Sequence, residues 1–150
     1  MAASVETTIE IESKSIADTI AFAKQCAIEA ENGDIFTLSG PMGAGKSEFA
    51  RGFIQYLMGA EIDVPSPTFT LLQSYESDKG LIWHFDLYRL EDADEIYEIG
   101  WEEAISDGIL LIEWPERLST LLPTQRKDIK ITPIGDTSRL ISLNVQGGKA

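Results

Sequence analysis

Asp34-Ile35-Phe36-Thr37-Leu38-Ser39-Gly40-Pro41-Met42-Gly43-Ala44-Gly45-Lys46-Ser47 holds, in one unbroken run, a strand, a glycine-rich loop and the start of a helix. Asp34 to Ser39 is short, β-prone and apolar, as a strand covered on both faces should be. Gly40 to Ser47 fits the pattern G-x-x-x-x-G-K-[ST] without a mismatch. Phe49, Phe53, Tyr56 and Leu57 then mark the inner face of a helix that Gly59 closes. Each part of the loop has a physical task. Glycines let the backbone curl until successive N–H groups point inward at phosphate oxygens. Lys46 supplies a mobile positive charge for the β and γ phosphates, and the Ser47 hydroxyl is a Mg2+ ligand. The helix that starts near Lys46 aims its positive dipole end at the same point. From average residue usage the pattern arises by chance in about one chain in 200 of this length, and the strand before it and the helix behind it lower those odds further. Gly40, Met42, Gly43, Ala44, Gly45, Lys46, Ser47 and Glu48 are therefore expected to line a nucleotide site.

Outward from this stretch, Thr7 to Ile11 alternates polar and apolar residues as an edge strand does. Ser15, with Asp18 three residues on, predicts a helix N-terminus. Ile16, Ile20, Ala23 and Ala27 form that helix's apolar stripe, and Asn32-Gly33 ends it. Phe69–Tyr75 and Leu81–Tyr88 flank Ser77-Asp78-Lys79-Gly80 and read as an aromatic-rich hairpin. Glu91 to Ile99 predicts a short acidic helix stopped by Gly100, followed by another helical turn over Trp101–Ile105. Ile109–Ile112 is a second run of buried-strand length, and Lys127–Pro133 with Arg139–Val145 predicts a hairpin around Gly135-Asp136. Strand–helix alternation calls for parallel pairing at the centre, and the hairpins add antiparallel strands. The expected architecture is one α/β domain over residues 1–150, with a mixed sheet, a parallel core, helices on both faces and a loose tail from about 146 to 150.

The chain has 150 residues, of which 43% are hydrophobic and 25% charged, too apolar for a disordered protein. Lys and Arg number 12 against 25 Asp and Glu, a net charge of −13. That balance excludes a broad nucleic-acid grip, which runs on clustered Lys and Arg. Contact with RNA is expected to be indirect or confined to a small patch. The lone Cys26 rules out an intramolecular disulfide, and no Cys/His cluster exists to hold zinc. No apolar run reaches the roughly 18 residues that cross a bilayer, and Met1–Glu12 has neither the basic start nor the apolar stretch of a signal peptide. A soluble, cytoplasmic protein with no membrane contact is expected.

A Mg2+-nucleotide site also needs a carboxylate at the end of a neighbouring strand, to hold the metal or orient water. Glu113 ends the run Ile109–Ile112 ahead of Trp114-Pro115, and Asp86 stands among aromatics in His84-Phe85-Asp86-Leu87-Tyr88-Arg89-Leu90. With Lys46 these two are the expected catalytic residues, and with Ser47 the expected metal ligands. His84, the only histidine, fits packing as well as catalysis, and Trp114 fits the core as well as the cleft. Pro65-Ser66-Pro67-Thr68-Phe69-Thr70 is stiffened by two prolines, while Thr68 and Thr70 join Ser66 in offering hydroxyls to a γ-phosphate or its metal. Such chemistry suits a nucleotide-sensing switch, and equally a plain proline turn. The N-K-x-D guanine motif is absent, because Asn occurs only at 32 and 144 without a following Lys. ATP is the expected nucleotide. Arg51, Arg89, Arg117, Arg126 and Arg139 are scattered rather than clustered as in a kinase lid. A small-molecule kinase and a nucleotide-dependent binding module without turnover stay open as alternatives.

In the order of the glycine loop, Ser66-Pro67-Thr68-Phe69-Thr70, His84 to Leu90, the acidic segment ending at Gly100 and Ile112-Glu113-Trp114, the chain resembles the TsaE family. The resemblance runs from about Thr19 to Pro115. It implies a small P-loop ATPase with a mixed sheet, using ATP and Mg2+, that is needed to make threonylcarbamoyladenosine in tRNA. The implied partners are TsaD, which transfers the threonylcarbamoyl group, and TsaB, with turnover that depends on them and with tRNA met only through the complex. Ser47 and Glu113 fall on the family's magnesium positions, Asp86 on a functional acidic position, and Ser66 to Thr70 on a switch-like segment. The chain departs from the family at Pro41-Met42, where Asp-Leu is usual, and at Glu48, where a hydroxyl residue is usual. Pro41 removes one backbone donor from the start of the loop. In the C-terminal hairpin, which matches only in outline, Arg139 is the residue expected to reach the nucleotide.

Overall fold

A run that is apolar at every position needs cover on both faces, and Ile109–Ile112 has it in a strand, Ile109–Glu113, that is buried along its whole length. The computed structural model describes residues 5–67 and 70–148, so Thr68 and Phe69 lie outside the described residues. Its strands are β1 (Val5–Ser13), β2 (Ile35–Ser39), β3 (Leu72–Ser77), β4 (Gly80–Asp86), β5 (Ile109–Glu113), β6 (Arg126–Pro133) and β7 (Arg139–Gly148). They form one sheet in the order β1-β7-β6-β2-β5-β4-β3. β6, β2, β5 and β4 are parallel neighbours, while β1, β7 and β3 pair antiparallel on the flanks. This is the expected mixed sheet with a parallel core.

Side-chain alternation along the strands sorts the core into two layers. Phe36, Leu38, Ile82, Ile109 and Leu111 face α1 (Ile16–Glu29) and α2 (Lys46–Met58), which cover them with Ala23, Ala27, Phe49, Phe53 and Ile54. Trp83, Phe85, Leu110 and Ile112 face the other way. There they meet Ile96, Trp101, Ala104 and Leu118 from the 3-10 segment Ala93–Ile99, α3 (Trp101–Ser106) and the 3-10 segment Pro115–Leu121. Helical elements flank both faces, as expected.

The departures have local causes. The Ser15 hydroxyl accepts from the Asp18 amide at 3.2 Å while Asp18 reaches back to the Lys14 amide at 2.9 Å. This reciprocal cap is worth about 1 kcal/mol. Ile16 nevertheless stays exposed, and Thr19, Ala23, Cys26 and Ala27 carry the buried stripe. α2 packs closely on α1 at Gly52 and Ile20, which widens its buried arc to Phe49, Ala50, Phe53 and Ile54 and turns Tyr56 out. β3 begins at Leu72 because Leu71 adopts a left-handed φ of 66° and donates its amide to the Pro67 carbonyl at 2.6 Å. α1 stops at Glu29, before Asn32-Gly33, where the Lys79 ammonium takes up its last carbonyls. β7 runs on to Gly148, with Gln146 opposite Arg126, so strand pairing reaches into the stretch expected to be loose.

Candidate functional site

Parallel pairing brings the carboxyl ends of β2, β5 and β4 together, with Leu38 opposite Glu113 and Glu113 opposite Asp86. In open α/β sheets, ligands bind at such ends. From the end of β2 the chain enters the glycine loop. Gly40 has a φ of 148°, and a Cβ there would collide with the Ile131 carbonyl oxygen of β6. Gly45, at φ 114°, starts α2 in a left-handed conformation that a side chain would strain. Arg139 clamps the loop from outside, donating from Nε to the Ala44 carbonyl at 2.9 Å and from Nη2 to the Gly43 carbonyl at 3.3 Å. A trans peptide points its N–H opposite its C=O, so this clamp turns the Gly45 amide away from Arg139. The arginine expected to reach the nucleotide thus engages the loop's backbone.

Lys46 is only 6% exposed. Its ammonium donates to the Gly40 carbonyl and lies 3.9 Å from the centre of the Trp114 ring. Burial pulls its pKa below the ordinary 10.5, an effect that Glu113, Asp86 and Glu116 oppose by their charges. Asp86 and Glu113 are themselves buried, at 4% and 2% exposure. Asp86 Oδ1 accepts from the Tyr88 amide at 3.0 Å, and Glu113 Oε2 meets His84 Nε2 at 2.8 Å. Two of the non-glycine residues with left-handed φ adjoin these carboxylates. Leu71 accepts the Asp86 amide on its carbonyl at 3.0 Å, and Trp114, with a φ of 59°, follows Glu113. Such conformations cost roughly 1–3 kcal/mol each and gather at functional sites.

Among the described residues no group of three or more His, Cys, Asp or Glu could hold a metal unaided. Mg2+ is usually held by one or two carboxylates plus substrate phosphates. Asp86 and Glu113, two buried carboxylates on adjacent strand ends, fit that pattern. Ser47 lies exposed on the first turn of α2, and Glu48 is half-buried beside it. Met42 does not turn inward, being 68% exposed at the loop tip. Thr70 is exposed, its hydroxyl meeting Gln73 Nε2 at 3.2 Å, and Thr68 lies outside the described residues. Trp114 is half-buried and packs on Tyr88 at 4.9 Å between ring centres.

A cleft of about 520 Å³ that no sequence motif announces lies beside Gly43–Gly45, walled by Ser15, Ile16 and Thr19 of the α1 start and by Thr137 and Arg139. Exposed Ile16 at its mouth is the local hint, since an apolar residue at a helix start otherwise belongs in the core.

The family described as "Threonylcarbamoyl adenosine biosynthesis protein TsaE" matches residues 13–141. The chain belongs to the TsaE family. A TsaE from Rickettsia bellii is 41% identical over 126 residues, covering 84% of this chain and 88% of that protein. TsaE of Bacillus subtilis is 38% identical over 133 residues, covering 88% and 82%. The crystal structure of Bacillus subtilis YdiB superposes with a TM-score of 0.76 at 31% identity, covering 95% of this chain and 88% of that one. The fold is that of P-loop NTPases, and the TsaE family works in threonylcarbamoyladenosine biosynthesis in tRNA. The matched region extends through β6 and into β7, beyond the part where the sequence motifs lie. Among the described residues no helix is long and apolar enough to cross a membrane.

Proposed function

We propose that the chain binds ATP with Mg2+ at Gly40–Ser47, hydrolyses it, and thereby drives or resets threonylcarbamoyl transfer to tRNA by TsaD-like and TsaB-like partners in the cytoplasm. The observation that carries this is the convergence of buried Lys46, Asp86 and Glu113 at the mouth of the glycine loop. Lys46 exchanges the Gly40 carbonyl for phosphate oxygens, and the loop amides share their negative charge. Ser47 and a carboxylate would hold Mg2+, which when bound neutralises charge on the phosphates. Glu113 orients the attacking water and accepts its proton. Asp86 supports the metal side of the site, and its backbone tie to Leu71 links it to the segment 65–70 proposed as the switch. The cleft beside Gly43–Gly45 takes ribose and base, its volume lying in the usual range for small-ligand sites. At a net charge of −13 the chain leaves the tRNA grip to its partners.

The test is ATP consumption by the purified chain alone and then with the two partner proteins. Turnover that appears in the mixture is expected. Phosphoryl transfer to a metabolite without partners would instead make it a small-molecule kinase, and no consumption under either condition would overturn the hydrolysis assignment.

A further inference from the structure

His84 is the only histidine of the chain, is 2% exposed, and has no part in the chemistry set out above. On β4 it lies between Ile82 and Asp86 on the face that meets α1 and α2, beside Leu111 of β5. An apolar side chain would suit that layer better. The ring instead meets Glu113 Oε2 at 2.8 Å, across 29 positions of sequence. With Glu113 ionised its carboxylate only accepts, and the contact then places the proton on His84 Nε2 as donor. The other nitrogen, Nδ1, is buried and has no hydrogen-bond partner among the described residues. Buried polar atoms are nearly always paired, and a histidine serving structure alone would be expected to use both nitrogens. Here one contact is kept, and it is to the carboxylate at the strand end.

We infer that His84 is a positioning residue for Glu113. Its Nε2–H fixes Oε2 and the carboxylate plane, which leaves Oε1 to engage water. The pair is well suited to this, because adjacent parallel strands hold both backbones in register and imidazole has few rotamers to lose. By analogy with outer partners that orient metal ligands, which contribute about 10- to 100-fold, loss of the partner that orients a general base is expected to cost less than loss of the base itself. The inference rests on the role proposed for Glu113 in ATP hydrolysis, and its test separates the two.

Turnover of the full chain with its partner proteins is measured for His84→Leu and His84→Gln, alongside nucleotide affinity by calorimetry. We expect His84→Leu to lower kcat roughly 10- to 100-fold with KM and nucleotide affinity unchanged, and His84→Gln, which keeps an N–H donor, to recover most of the loss. A second readout needs no activity. The single histidine gives one imidazole spin system, so nitrogen NMR of the wild-type chain should show Nε2 protonated and should shift in Glu113→Gln. His84→Leu turning over at the wild-type rate, or an imidazole spectrum indifferent to Glu113→Gln, would overturn the inference. If His84→Leu does not fold, the Gln variant and the spectrum decide. A wild-type chain that consumes no ATP would overturn the hydrolysis role of Glu113, while the spectrum still reports whether His84 holds it.

Discussion

Two lysines mark the two ends of the parallel strands, and their surroundings differ in kind. At the amino ends, Lys79 on the β3–β4 turn donates to the carbonyls of Ala27, Ile28 and Ala30 at 3.0, 2.7 and 2.6 Å. Around it Asn32 bonds the Lys79 carbonyl, Asp107 and the Gly108 amide, and Trp83 Nε1 donates to the Asp107 carbonyl at 3.0 Å. At the carboxyl ends, buried Lys46 has the Gly40 carbonyl and the Trp114 ring, Glu113 has His84, and His84 Nδ1 has no hydrogen-bond partner among the described residues. An ammonium has three donors. Lys79 uses all three on the chain itself and closes a helix, whereas Lys46 keeps capacity for another molecule. Full satisfaction yields stability; a buried charge left partly unsatisfied marks the candidate site and costs stability.

The contrast is broken most forcefully at Glu113. Glu113→Gln should lower ATP turnover with partners by at least about 100-fold, in the range for a lost general base, while nucleotide affinity hardly changes. Steady-state kinetics and calorimetry check both halves. Lys79→Met should do the reverse. Loss of three carbonyl bonds at the end of α1 is expected to cost about 2 kcal/mol, or roughly 4–8 °C in Tm, with nucleotide affinity intact by thermal melting and titration.

A weaker effect follows from pH. Because burial holds the Lys46 pKa below 10.5, its charge is lost before that of a free lysine as pH rises. Nucleotide affinity should therefore decline on the alkaline side from a pH below 10.5. In the same window the unfolded chain binds more protons than the folded one, so the Lys46 contribution to stability rises with pH. Lys46→Met removes both trends, which pH-dependent titration and melting of the two proteins would show. The smallest effect concerns the segment 65–70. Its exchange protection should be greater with a non-hydrolysable ATP analogue than with ADP, and equal protection would reduce it to a stiff connector.

Much of the candidate site is legible in the sequence because its parts are local. The loop pattern at Gly40–Ser47, the apolar run ending at Glu113 and the hairpin around Asp78-Lys79 are each contained in a few consecutive residues, and the structure places Asp86 and Glu113 side by side. What escaped depends on distant partners. Arg139 meets Ala44 across 95 positions and His84 meets Glu113 across 29, and no periodicity or motif encodes such pairs. The exposure of Ile16 and Tyr56 has a related reason: a helical stripe reports one apolar arc, but α1 and α2 pack on each other as well as on the sheet. The acidic stretch forms a 3-10 segment, and its capping by Asp92 is local while its winding is not.

Nucleotide binding through Lys46 is tested most directly by calorimetric titration of a non-hydrolysable ATP analogue with Mg2+ into the wild-type chain and Lys46→Ala. The wild type should bind one equivalent, and the variant should bind about 100-fold more weakly, the loss expected for charge-assisted phosphate contacts, with its melting temperature equal to or above that of the wild type. Equal affinity in the two proteins would mean that the phosphates are held elsewhere and that the loop is not the site.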